Sequence, residues 1–162
     1  MQINNPAATF ARPANSTAYA VGGLVANSVT SGSVVPMTFQ LGNMFGQGQL
    51  RLTRARLFKS GTGITNAAFR IHVYEALPTV INGDGGAWLS NLAAHWIGNI
   101  DVTSMLAFSD GAAGTGSCPA GSEIFLKTAA GSQVYGLLMA LGAYTPASAE
   151  QFSVVLEELD DY

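Results

Sequence analysis

Apolar residues in this 162-residue chain recur at every second position, and that period limits the fold more than any other feature. "FRIHVYE" places Phe69, Ile71 and Val73 on one face and Arg70, His72 and Tyr74 on the other, the pattern of a half-buried strand. "QFSVVLEEL" sets Phe152, Val154 and Leu156 against Ser153, Val155 and Glu157 in the same way. "SEIFLKT" is a shorter strand, with Ile124 and Leu126 facing opposite to Glu123, Phe125 and Lys127. "QVYGLLMALGAY" is continuously apolar, as expected of a central strand covered on both faces, and Gly136 and Gly142 in it mark a close approach or a bend.

"GQLRLTRARLFKSGTG" breaks the period once. Leu50 and Leu52 share one parity, Ala55 and Leu57 the other; a bulge near Thr53 keeps all four inside and turns Arg51, Arg54 and Arg56 outward. The Gly-containing turn that follows predicts a hairpin of residues 49–59 with residues 67–75. "SVVPMTFQL" is a strand that Pro36 assigns to an edge or a bulge. "AWLSNLAAHW" allows one or two helical turns, "HWIGNIDV" reads as a strand, and "FSDGAAGTGSCPAGS" reads as a surface loop. Seven or eight short strands between turn signals predict an all-β fold: one antiparallel β-sandwich or jelly roll over residues 16–162, preceded by an extended arm over residues 1–15.

The chain is 48% hydrophobic and 10% charged, against about 25% charged for an ordinary soluble domain. A compact monomer of this length exposes roughly 7,700 Å². Seventeen charged side chains cover little of that, so part of the surface is expected to lie in an assembly. The net charge of −3 gives no global basicity, and no nucleic-acid partner is expected. The charges are unevenly placed: Arg51, Arg54, Arg56 and Lys59 lie on one strand, and Glu157, Glu158, Asp160 and Asp161 near the C-terminus. Cys118 is single, which fits a reducing compartment. The first residues lack the pattern of a secretory signal, and the longest apolar run is far short of a membrane span. These features predict a soluble protein made in the cytoplasm, with no membrane partner.

Catalytic signals are sparse. His72 and Glu75 are three apart on one strand, hence on opposite faces, and cannot form a joint ligand pair; His72 reads as an outward histidine on a sheet face. His95 could meet Ser117 or Cys118 only through tertiary placement. Asp84 in "NGDGG" lacks the further oxygens of a calcium loop and reads as a turn residue. No nucleophile elbow, dinucleotide fingerprint or phosphate loop occurs. No enzyme activity, cofactor or metal is expected. For the arginine strand a solvated face ranks first, and docking to an acidic neighbouring subunit second, including the acidic C-terminus of another copy.

"RPANSTAYAVGGLVANS" resembles a pattern, roughly R-P-x-x-T-T-A-Y-x-x-G-D-x-V, found in small virion proteins of tailed bacteriophages, here taken as capsid cement or decoration proteins. Arg12, Pro13, Thr17, Ala18, Tyr19, Gly22 and Val25 carry the match, and Gly23 departs from it where the pattern has Asp. The resemblance continues in "FRIHVYEALPTVINGDGGAW" and in "YGLLMALGAYTPASAEQFSVVLEE" and skips residues 103–123. It implies a jelly-roll-like sandwich on the outer surface of a phage head. Such a protein would bind the major capsid protein, bridge capsomers and form homo-oligomers, trimers being favoured. Phe10, Arg12 and Pro13 would then anchor the arm on the capsid, and residues 17–27 would enter the sandwich as a strand or strand-like edge. Deleting residues 2–14 is expected to leave a folded domain with weakened capsid binding. A tail-associated or receptor-binding module that recognises glycans is the alternative, with Trp88 and Trp96 stacking on sugar rings. A hydrolase using His95 or Cys118 comes third.

Overall fold

The computed structural model describes residues 3–41, 49–127 and 132–161, which fold into two antiparallel sheets packed face to face. The first sheet is built on β5 (Gln49–Lys59) and β12 (Gln151–Asp161), its two longest strands, paired along their whole length. On one side β12 carries β1 (Ile3–Asn4) and β2 (Ala7–Ala11). On the other side β5 carries β10 (Ile124–Lys127) and β9 (Gly111–Ser117), and β9 carries β8 (Leu106–Phe108) at the edge. The second sheet is centred on β11 (Gln133–Ala140). It pairs with β6 (Phe69–Tyr74) on one side, and with β3 (Leu24–Val25) and β4 (Met37–Gln40) on the other. β7 (Trp96–Val102) lies outside β6. The all-β sandwich read from the sequence is the fold observed.

Alternation explains the core. Phe152, Val154 and Leu156 of β12 point inward and meet Leu57 and Ala55 of β5 and Phe69, Ile71 and Val73 of β6, all fully buried. Phe69 packs edge-on against both Phe152 and Tyr144, with ring centroids 5.5 and 5.4 Å apart, so one aromatic side chain joins the two sheets. The bulge expected at Thr53 is present. Glu157 pairs with Arg54 and Glu158 with Leu52, so Thr53 is the extra residue, and Leu50, Leu52, Ala55 and Leu57 are all buried. β11 is central as expected; a Cβ at Gly136 would lie 2.8 Å from the Phe39 ring, so the glycine there serves close packing. β4 sits at the edge of its sheet, immediately after Pro36.

Three expectations are corrected. β5 and β6 lie in different sheets and form no hairpin. Lys59 is buried at the end of β5, and its ammonium donates to the carbonyls of Gly61 and Gly63, both at 2.6 Å, so the chain crosses to the other sheet here instead of turning back. The segment read as a surface loop, residues 108–122, holds β9 and the last residue of β8. "GAAGTGS" has no apolar alternation because the space belongs to its neighbours: a Cβ at Gly114 would meet the Ser104 carbonyl oxygen at 2.5 Å, and one at Gly116 would run into the Asp101 backbone. Within the extended arm expected over residues 1–15, Ile3–Asn4 and Ala7–Ala11 are strands laid on β12 in the same chain, with Phe152↔Phe10 and Val154↔Ala8 in register. Within the expected strand 17–27 only Leu24 and Val25 pair as β3.

The outer faces of the sheets are unlike each other. β6, expected to be half-exposed, is buried on both sides, because the segment joining it to β7 folds over its outer face. Leu24, Ala26, Tyr74, Val80, Leu92 and Leu137 form a second apolar layer there, with Trp88 packed against it. Leu92 reaches that layer from a single 3-10 turn, Ser90–Ala93. No such segment covers the outer face of the first sheet among the described residues.

Candidate interaction surface

The uncovered face of the first sheet presents aromatic side chains to solvent. Phe58 on β5 is 41% exposed, Phe125 on β10 57%, and Leu106 and Phe108 on β8 67% and 52%, values that leave each of them without a packing partner on one side. Registers place them in rows: Phe58 is opposite Ala113, which is opposite Leu106, and Phe125 is opposite Arg51. Between β5 and β8 the face dips into an open groove of about 550 Å³, lined by Phe58, Leu106, Phe108 and Met105, with Arg56 and Thr115 at its polar end. Phe125 was legible as an outward residue from its parity. Phe58 shares the outward parity of Arg54 and Arg56. Leu106 and Phe108 left no signal, since their three-residue strand is too short to show a period and ends in an apparent loop.

The basic strand and the acidic C-terminal segment meet within one chain. Glu157 lies opposite Arg54 and receives two hydrogen bonds from its guanidinium, 2.7 Å from Nε and 3.0 Å from Nη2; Arg56 Nε approaches the same carboxylate at 2.9 Å. Hydrogen bonding from Arg54 holds the Glu157 carboxyl below the usual range. Arg51, on the same face, is partly buried. Glu158 is not a surface residue: it continues the inward parity of Leu156 and is buried opposite Leu52. The backbones of Asp160 and Asp161 continue β12 opposite Leu50 and Gln49, and their side chains lie outside the described residues.

Arg12 is also corrected, from partner contact to buried strut. Its side chain is fully buried and pairs with Asp84 at 3.0 Å. Arg12 Nε donates to the Tyr19 hydroxyl at 2.8 Å, Tyr19 donates to Asp84 Oδ1 at 2.6 Å, and the Ala26 amide donates to the same oxygen at 2.8 Å. Asn15 accepts from both terminal nitrogens of Arg12, through its backbone carbonyl and its side-chain oxygen. Asp84 is therefore a buried ion-pair partner and not only a turn residue. Phe10 is partly buried, its ring stacked 5.6 Å from Phe152, and Pro13 is partly buried beside it in sequence. Deleting residues 2–14 would thus strip β12 of β1 and β2 and leave the buried Asp84 carboxyl without its arginine, a loss of fold.

A second buried ion pair stands beside the first. Lys59 Nζ lies 3.1 Å from Glu150 Oε1, both side chains fully buried, and the Tyr144 hydroxyl donates to Glu150 at 2.7 Å. The rings of Tyr19 and Tyr144 are nearly parallel, 6.5 Å apart, which joins the two clusters into one network. Burial, with the adjacent carboxylates adding to it, pushes both tyrosine hydroxyls far up, so they remain donors.

The catalytic candidates do not converge. His95 is exposed, 3.7 Å from Glu75. Cys118 is partly buried, donates to the Leu52 carbonyl at 3.4 Å and has its thiol pushed up by burial; no described contact joins it to His95. His72 is not outward in solvent: it stacks on Trp88 at 4.2 Å, with Trp96 tilted 6.2 Å away, and neither ring nitrogen has a hydrogen-bond partner. Burial, reinforced by the charge of Arg70, lowers it to about 4. Arg70 itself is held by Asp101, with two bonds of 2.7 Å. Among the described residues no three His, Cys, Asp or Glu side chains stand close enough to hold a metal ion, and no helix is long and apolar enough to cross a membrane.

No protein-family model and no curated protein matches the sequence. Among solved structures, a provisionally assigned glycoside hydrolase from Bacteroides thetaiotaomicron aligns over 79% of this chain and 41% of its own, at 10% identity and a TM-score of 0.30. The chain thus spans less than half the length of that protein, and a likeness at this level carries no argument about function.

Proposed function

We propose that this chain is a structural virion protein that decorates the outside of a phage head, binding the major capsid protein and bridging capsomers as a homo-oligomer. The observation that supports an interaction module is the presence of two separate uncovered apolar surfaces. One is the open sheet face with Phe58, Leu106, Phe108 and Phe125. The other lies among the loops of the second sheet, where Val29, Val35 and Ile81 are exposed and the Gly32 amide ties to the Ile81 carbonyl. A protein that bridges needs two contact surfaces, and exposed apolar groups rimmed by few charges are what such contacts use. The capsid as the partner rests on the sequence resemblance.

Charge is also scarce where it would compete. Of seventeen charged side chains, those of Arg12, Lys59, Asp84, Glu150 and Glu158 are buried, which leaves at most twelve for 7877 Å² of surface. Modest contacts repeated over a lattice give large avidity, so no single surface need bind tightly. The half-exposed Trp96 is the feature that would serve a glycan-binding tail module instead. Co-sedimentation with undecorated heads separates the two: the decoration reading expects saturable binding, weakened at least tenfold by Val29→Asp with Ile81→Asp, and unchanged by Trp96→Ala. Absence of binding to heads, with glycan binding lost on Trp96→Ala, would replace it with the alternative.

A further inference from the structure

We infer that β8 is a seam along which two copies of this chain join edge to edge about a two-fold axis. The inference goes beyond the decoration reading and does not depend on a capsid. Among the described residues β8 pairs only with β9, and Leu106, Ala107 and Phe108 are all exposed, so its outer edge presents unpaired backbone groups. Natural edge strands are usually blunted by lysine, proline or an inward charge. This one carries leucine, alanine and phenylalanine.

The strand is complementary to itself. Antiparallel pairing centred on Ala107 sets Leu106 of each copy opposite Phe108 of the other, two apolar cross-strand pairs in a single short ladder. Leu106 lies in the row that runs through Ala113 to Phe58, so the pairing extends the open apolar face of one copy into that of the next and closes the groove beside it. A two-fold contact needs only this one patch, used twice.

Charge favours the same arrangement. Asp110 is exposed at the tip of the β8–β9 turn, and no ion pair joins it to another of the described residues. The pairing brings it alongside Ser104 of the other copy, which lines the groove together with Thr115 and Arg56. There two arginines, Arg54 and Arg56, share the single carboxylate of Glu157. An acidic tip thus approaches the end of the groove that Arg56 lines, once on each side of the axis. The contact is small beside interfaces that hold dimers together in dilute solution. Pairing is therefore weak in isolation and strengthens where copies are held close together. It is two-fold, unlike the trimers that the resemblance implies.

The seam has a test that needs no partner. In a Cys118→Ser background, Ala107→Cys would place two thiols opposite each other across the axis, within disulfide reach. Oxidation of the full chain is expected to give a disulfide-linked dimer at least tenfold faster than Ser31→Cys, an exposed position far along the chain from the seam. Adding Leu106→Glu and Phe108→Glu should slow that cross-linking at least tenfold while the far-ultraviolet circular dichroism stays unchanged. Sedimentation of the unmodified chain at rising concentration should follow a monomer–dimer curve. Cross-linking no faster than at Ser31, indifference to the two glutamates, or a monomer–trimer curve would each overturn the seam. Failure to bind heads would leave it standing.

Discussion

The two sheets share one core, but their outer faces were finished differently. Over the second sheet the segment between β6 and β7 lays Val80, Trp88 and Leu92 on Tyr74 and His72, so that even a histidine is shut away from water. Over the first sheet nothing described is laid down, and Phe58, Leu106, Phe108 and Phe125 stay in solvent. The same chain that supplies a roof on one side leaves aromatic residues bare on the other, while five of its charged groups are buried. Apolar groups outside and charges inside invert the usual economy of a soluble domain. The inversion makes sense if the bare face is completed by another molecule and the buried charges serve to tie the fold.

Variants can break this contrast, starting with the buried charges. Lys59→Met leaves the buried Glu150 carboxyl without its cation in the core, and should cost about 3–5 kcal/mol in a denaturant titration. Adding Glu150→Leu should recover part of that loss, because an apolar pair needs no compensation. The roof comes next: Leu92→Ala removes a buried anchor and should cost about 2–4 kcal/mol by the same titration.

Acid should act on the roof as well. His72 is lowered to about 4 in the folded chain from an ordinary value of 6.5, so the unfolded chain takes up the proton first. Its contribution is complete above pH 6.5 and is lost as the pH falls from there to about 4, roughly 3 kcal/mol in all. His72→Phe should flatten that part of the stability–pH curve; an unchanged slope would show that the roof does not keep the imidazole dry. The smallest effect belongs to the bare face. Phe108→Ser should change stability by no more than about 0.5 kcal/mol, since its ring is half exposed and belongs to no buried cluster among the described residues. A large loss there would mean that the face is part of the fold and not a surface for a partner.

The sequence made the sandwich readable where one face of a strand is buried and the other is not. β12 and β5 are the clearest cases, including the bulge at Thr53, which the switch of parity between Leu52 and Ala55 revealed. β9 was unreadable for the opposite reason: its glycines exist because neighbouring backbones leave no room for side chains, so no alternation is written there. β6 showed its strand but not its roof, since His72 and Tyr74 look polar and only the distant Trp88 and Leu92 make them interior. Pairing between strands was the least legible. Arg12 and Asp84 are 72 residues apart, and Lys59 and Glu150 are 91 apart, so neither buried pair has a local signature. The basic strand and the acidic segment did carry opposite charge in plain view, and the structure joins them through Glu157 within one chain.

The measurement closest to the central claim is the copy number of this chain in purified virions, by quantitative mass spectrometry against the major capsid protein. The account predicts a ratio of one, or a simple fraction of one, as a protein spread over the head lattice requires. A handful of copies would place it at a vertex or in the tail, and its absence from the particle would contradict the account.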